Sequence, residues 1–305
     1  IIAVTAQHDK PVLGCFMGVK GVATGVEELK RHRIPTYAFP ESAARTLAAM
    51  VKYSHWRQKS ISSVSRFPVA KSETAEVLKK ALEEKREQLT INEITSILKN
   101  YGIPFVQSHV SKDLNELLRH ASTMKSPMVL KIASKHIQHK TDVGGVKLDL
   151  RTVEEVQEAY FEIVESLKGR KIDLEQVDFV LQEMVEGGRE TILGITAVPG
   201  LGSLIMFGLG GIYVEVIKDV SFRIVPLTDS DAEEMIQEIK ALPILKGVRG
   251  APPVDFSYLK EILLRLSQLA FDFPQIEELD INPFLVFPDK KMFRGVDARM
   301  RIKIK

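Results

Sequence analysis

Apolar and polar positions alternate with two different periods along this chain, and the switches between them mark its elements. Pro11 to Met17 reads as a short buried strand, Gly25 to His32 as a short helix and Ile34 to Phe39 as a second strand. Glu41 to Trp56 has helical spacing, with Ala44, Leu47, Ala48, Val51 and Tyr53 largely on one face. This βαβα order predicts a parallel sheet, which two strands do not complete, so further strands are expected upstream. The start at Ile1, inside an apolar run and without a basic leader, reads as a piece cut from a longer polypeptide.

Residues 1–57 are thus one part, and residues 58–72, rich in Ser and poor in large apolar side chains, are expected to be a linker. Residues 73–305 form the second domain. Helical patterns run from Ser72 to Glu87 and from Thr90 to Tyr101, the latter opened by a Thr90-x-x-Glu93 capping box and closed by Gly102. Strands follow at Phe105–Val110, Met128–Ile132, Val146–Leu150, Val177–Met184, Glu190–Ala197, Leu204–Phe207 and Ser221–Pro226, and two more end the chain. Helices are expected at Leu114–Met124, Thr152–Lys168, Asp231–Leu242 and Tyr258–Phe271. The fold class is α/β or α+β, in two pieces.

Thr191 to Val214 carries no charge over 24 residues, long enough to cross a bilayer. Six glycines and Pro199 interrupt it, so strand, turn and strand is the better reading, and no membrane partner is expected. Lys plus Arg (42) nearly balance Asp plus Glu (40), so bulk charge implies no nucleic-acid partner. The lone Cys15 excludes an internal disulfide, fits a reducing cytoplasmic compartment, and reads as a small buried hydrophobe.

A P-loop and an HExxH pair are absent, and Gly208-x-Gly210 meets Tyr213 where a third glycine of a dinucleotide fingerprint belongs. Four stretches remain. His139 to Val146 includes the pair Gly144-Gly145 and follows the strand of Lys131; it is either an anion-binding turn or a plain β-turn. Met206 to Glu215, with Gly210 and Gly211, is either a second phosphate-facing loop or a tight hairpin. In Glu278 to Pro283, Asp280 and Asn282 share one strand face; with Asp297 they make either an oxygen-rich site suited to Mg²⁺ or a half-exposed strand. Gln182-Glu183-Met184, followed by Glu190, could meet an adenine edge and a ribose.

In this order the pieces resemble the ATP-grasp domain of NDP-forming acyl-CoA synthetases, the ADP-forming acetate–CoA ligase type related to succinyl-CoA synthetase. Seven motifs carry the resemblance: Leu98–Pro104, Met128–Lys131, His139–Val146, Gln182–Met184, Met206–Glu215 with Asp219, Arg249-Gly250, and Leu279–Pro283 with Asp297. Residues 1–57 resemble the end of the flavodoxin-like or Rossmann-like CoA-ligase part, through Lys10–Leu13, Gly25-x-x-x-Leu29, Ile34-Pro35, Pro40–Ala43 and Tyr53-x-x-Trp56. The resemblance implies conversion of acyl-CoA, ADP and phosphate into a carboxylic acid, CoA and ATP through phosphohistidine. It implies His139 as phosphoryl acceptor and Asp280 as the acid that orients or deprotonates it. Lys131, Gly144, Gly145, Glu183, Met184, Glu190, Gly210 and Gly211 would bind nucleotide, and Asn282 and Asp297 would hold Mg²⁺. It further implies CoA as a substrate of the complete enzyme, an upstream CoA-ligase domain or subunit as partner, and a homo- or hetero-oligomer. A different ATP-grasp carboxylate ligase and a non-catalytic nucleotide-sensing part of a fused acetyltransferase are the competing readings.

Overall fold

In the computed structural model, which describes residues 1–18, 21–58, 63–134, 137, 142–211, 219–248 and 250–304, the chain divides into two units, residues 1–61 and 62–305. The first holds helices α1 (Ile2–Thr5), α2 (Ala23–Arg31) and α3 (Pro40–Gln58) and strands β1 (Gly14–Cys15) and β2 (Thr36–Tyr37). The two strands pair in parallel, Gly14 opposite Thr36. Leu29 and Ile34 are its buried hydrophobic residues, while α3 leaves Leu47, Val51 and Trp56 exposed. Cys15, expected inside, is exposed. Among the described residues β1 has β2 as its one strand neighbour, which leaves the outer face of so short a strand without cover.

The second unit opens with α4 (Lys71–Glu83), α5 (Ile91–Asn100), β3 (Ser108–Ser111), α6 (Leu114–Ala121), β4 (Met128–Ala133), β5 (Val146–Leu150), α7 (Val153–Gly169) and β6 (Asp178–Glu183). These strands form an antiparallel sheet in the order β3-β6-β4-β5. Strand alternation sends Met128, Leu130, Ile132, Phe179 and Leu181 to one face, where they pack with Leu117, Val156, Ile163 and Leu167 of α6 and α7 and with Leu150, which follows a break in the strand at Asp149 (φ 57°). Val129, Lys131, Val146, Leu148 and Gln182 fall on the other face.

The rest comprises β7 (Arg189–Val198), β8 (Gly202–Leu209), β9 (Val220–Ile224), α8 (Asp229–Glu238), α9 (Leu242–Lys246), α10 (Phe256–Asp272), β10 (Ile276–Val286), β11 (Arg294–Gly295) and β12 (Ala298–Ile302). The second sheet runs β11-β10-β7-β8-β9, with β12 also on β10, and every pairing is antiparallel. Its inner face, with Leu193, Ile195, Phe207, Leu279, Ile281 and Met300, joins α4, α5, α8 and α10 in the larger core. Among the described residues the named strands of the second unit pair antiparallel throughout, with one isolated parallel bridge between Phe105 and Gly295, so the second unit is α+β.

The uncharged stretch from Thr191 is the β7–β8 hairpin, turned at Gly200 and Gly202 with φ of 78° and 94°. No helix among the described residues is long and apolar enough to cross a membrane. Among the boundaries that differ from the sequence pattern, three have a clear physical reason. The helix expected to reach Glu87 stops at Glu83, where Lys85 adopts φ 53° and Arg86 folds back onto Glu84 and Glu93. The helix expected over Asp231–Leu242 starts earlier, on a Thr228–Asp231 capping box, and breaks after Glu238, where the Asp219 carboxylate accepts the N–H groups of Lys240 (2.8 Å) and Ala241 (2.7 Å). The stretch expected as linker is fastened to the second unit in its later half. Phe67 exchanges two hydrogen bonds with the Gln268 amide (2.8 and 3.1 Å), and the Arg265 guanidinium lies 4.3 Å above its ring.

Candidate functional site

The open face of the first sheet and the strand ends of the second line one cleft of about 780 Å³. From the first sheet come Val129, Lys131, Val146, Leu148, Gln182 and Glu183; Met184, Val185 and Glu190 lie at the crossing to the second, which adds Asn282, Pro283, Leu285, Asp297 and Arg299. Among the described residues, side-chain contacts join the sheets at two places. Gln182, 2% exposed, donates its Nε2 to the Val296 carbonyl at 2.7 Å. Lys131, buried, brings its Nζ to 3.8 Å from Asp297 Oδ1.

Local chain chemistry places the candidate oxygen ligands. On β10 Leu279 and Ile281 are buried, so Asp280 and Asn282 point the other way. Pro283 offers no N–H to a ladder, and the pairing with β7 shifts register between Ile281 and Phe284. The freed backbone pairs instead with the β11–β12 connection: Asn282 N–H donates to the Asp297 carbonyl and Val296 N–H to that of Pro283, each at 3.0 Å. Asn282 and Asp297 are thereby placed side by side. Asp297 Oδ1 also accepts the Ala298 N–H at 3.0 Å.

Asp280 lies directly opposite Arg299 of β12 and Gly194 of β7. Its Oδ1 is buried and has no hydrogen-bond partner among the described residues. Burial raises its carboxyl above the ordinary carboxylate range, the charge of Arg299 opposes this, and Glu278 and Asp297 add to the rise. Asp297 and exposed Asn282, which line the cleft, would suit a hard cation held by few protein oxygens and completed by phosphate and water. Among the described residues no group of three or more His, Cys, Asp or Glu cages a metal on its own.

Of the residues singled out from the sequence, Lys131, Glu183, Met184, Glu190, Asn282 and Asp297 line the cleft. The Met184 N–H is already donated to the Pro127 carbonyl (2.9 Å), so it is not available to a base edge. Gly210 and Gly211 lie against Glu190 rather than in the lining: Gly210 N–H donates to the Glu190 carbonyl at 2.8 Å, and a Cβ on Gly211 (φ 68°) would sit 2.5 Å from Glu190 Oε2. Gly144 (φ 69°) packs beside Ser166, and the Gly145 carbonyl accepts the Ile132 N–H at 2.9 Å, so this pair shapes the β4–β5 connection. His139, the candidate phosphoryl acceptor, and Arg249 fall outside the described residues. Sequence reasoning placed Gln182 in a stretch expected to meet an adenine edge rather than as a tie between the sheets, and it left Arg299 without a role; the Asp297-x-Arg299 spacing was the available signal for the second.

The ATP-grasp domain family matches residues 80–302. The chain is 40% identical to an ADP-forming 4-hydroxybutyrate–CoA ligase of Nitrosopumilus maritimus over 98% of its own length and 43% of that protein, so it spans less than half of that relative. It is 42% identical to the beta subunit of an ADP-forming acetate–CoA ligase of Pyrococcus furiosus, over 74% of this chain and 96% of the subunit. A solved acetyl-coenzyme A synthetase 1 of Ca. Korarchaeum cryptofilum, with coenzyme A and Mg-AMPPCP and its phosphohistidine segment pointing towards the nucleotide binding site, superposes with a TM-score of 0.66 at 38% identity, over 75% of this chain and all of that one. Alternating strands, a cleft lined by Lys131, Asn282 and Asp297, and these likenesses lead to one conclusion: the chain belongs to the ATP-grasp domain family, among the ADP-forming acyl-CoA ligases.

Proposed function

We propose that this chain is the nucleotide-binding part of an ADP-forming acyl-CoA synthetase, which interconverts acyl-CoA, ADP and phosphate with carboxylic acid, CoA and ATP through phosphohistidine. The observation that carries the reading is the gathering of Lys131, Glu183, Glu190, Asn282 and Asp297 from two sheets around one cleft. The apolar side chains of Val129, Val146, Leu148 and Leu285 suit a base, Glu190 a ribose, and the Lys131–Asn282–Asp297 end a phosphate chain. Asn282 and Asp297 would hold Mg²⁺, which supplies charge neutralisation to phosphate oxygens. Lys131, held in place by Asp297, binds the same oxygens as a fixed cation.

His139 is the proposed acceptor. Its unprotonated ring nitrogen attacks the γ-phosphorus, the bond to the β–γ bridging oxygen breaks, and ADP leaves with the electron pair. The second ring nitrogen keeps its proton, and Asp280 is the carboxylate proposed to orient it and balance the imidazolium charge. The remaining half of the reaction belongs to an upstream CoA-ligase domain or subunit, in a homo- or hetero-oligomer and a cytoplasmic setting. The beta-subunit relative supports that division of labour.

Incubation with γ-labelled ATP and Mg²⁺ tests the reading. An acid-labile, base-stable label that disappears in His139→Ala is expected. Nucleotide binding without any label would instead favour a nucleotide-sensing part.

A further inference from the structure

Strand β12 presents two arginines to the open face of its sheet, because Ala298, Met300 and Ile302 face the core. Each stands directly across from an acid of β10: Arg301 from Glu278, and Arg299 from Asp280. The two pairs are built alike and behave differently. Arg301 closes onto acids, with its Nε 3.5 Å from Glu278 and a second ion pair to Glu277. Arg299 acts on Asp280 only through its charge, with no close ion pair or side-chain hydrogen bond among the described residues, although that carboxylate has a buried oxygen without a partner. It lines the cleft, together with Lys131, Asn282 and Asp297.

A guanidinium left off an available carboxylate and lining an anion-binding cleft is poised for an incoming anion. Lys131 already faces Asp297, which offsets part of its charge. A bound triphosphate carries more negative charge than Lys131 and one divalent cation balance. Resting on the nucleotide reading above, we propose that Arg299 grips the terminal phosphate of the nucleotide, or the inorganic phosphate that takes its place beside ADP. Its planar fork suits the paired oxygens of a terminal phosphoryl group, which a diphosphate lacks at that position. Arg299 is thereby the residue that distinguishes a nucleoside triphosphate from a diphosphate in this cleft.

The test is calorimetric titration of the 305-residue chain with Mg-AMPPCP and, separately, Mg-ADP, for wild type, Arg299→Gln and Arg299→Lys, with melting curves to verify folding. Arg299→Gln is expected to weaken AMPPCP about tenfold and to leave ADP within about twofold, as for loss of one charged hydrogen-bonded contact. Arg299→Lys is expected to restore part of the loss. Equal weakening of both nucleotides, or of neither, overturns the assignment of Arg299 and leaves the nucleotide reading standing. Failure of the wild type to bind either nucleotide overturns that reading, and the inference with it.

Discussion

The Lys131 ammonium and the Asp297 carboxylate meet at 3.8 Å across two sheets whose named strands do not pair with one another among the described residues. Neither residue's neighbours in its own segment explain the contact. The cleft does: a buried cation and an oxygen ligand are held at the place where a phosphate chain and its divalent ion would lie. Asp297→Asn is expected to remove most of the magnesium dependence of nucleotide affinity, since it takes away the one negative charge of the proposed Asn282–Asp297 ligand pair. Titrating nucleotide at several Mg²⁺ concentrations checks this; an unchanged dependence would move the ion elsewhere.

Gly211 sits where φ is 68° and where a Cβ would press on Glu190 Oε2 at 2.5 Å. Gly211→Ala is expected to displace the Glu190 side chain and to weaken nucleotide binding several-fold, with a stability loss of about 1 kcal/mol from the unfavourable backbone. Affinity and denaturation measurements on the same variant separate the two effects.

Gln182 donates from a buried position to the Val296 carbonyl and so ties the first sheet to the β11–β12 connection. Gln182→Leu leaves that carbonyl without its donor. The expected cost is about 1–3 kcal/mol in urea denaturation, and the nearby Asp297 should lose its fixed position, visible as weaker nucleotide binding.

Glu93 closes the capping box of α5 and binds Arg86 at 2.7 Å. Burial alone would raise its carboxyl; hydrogen bonds from Arg86 and Thr90 outweigh that and bring it down to about 2 from 4.5. Because the folded value is depressed, the stabilisation is complete above pH 4.5 and disappears as pH falls through about 2. Glu93→Gln is expected to lower stability by about 1–2 kcal/mol at neutral pH. Thermal unfolding of the pair of proteins from pH 7 to pH 2 should show the difference closing in that window.

Much of this arrangement was legible because strand period and capping are local. Alternation alone put Leu279 and Ile281 inward and Asp280 and Asn282 outward, and Thr90 with Glu93 marked a helix start that the structure contains. What stayed hidden depends on partners distant in sequence. The Ser-rich stretch gave no sign that Phe67 would be clasped by Gln268, and Asp219 reaches two N–H groups past the end of α8 that no pattern around it announces. The bridge from Gln182 to Val296 is of the same kind. Arg299 was visible as a residue and not as a role, since its meaning lies in the contrast with Arg301 across the strand pair.

The most direct measurement is calorimetric titration of Mg-ADP into the wild-type chain and into Lys131→Met, a change that keeps the length of the side chain and removes its charge. One saturable site in the wild type, weakened at least about tenfold by the substitution, is the predicted result. No binding at millimolar nucleotide, or binding indifferent to Lys131, would contradict the assignment of this cleft.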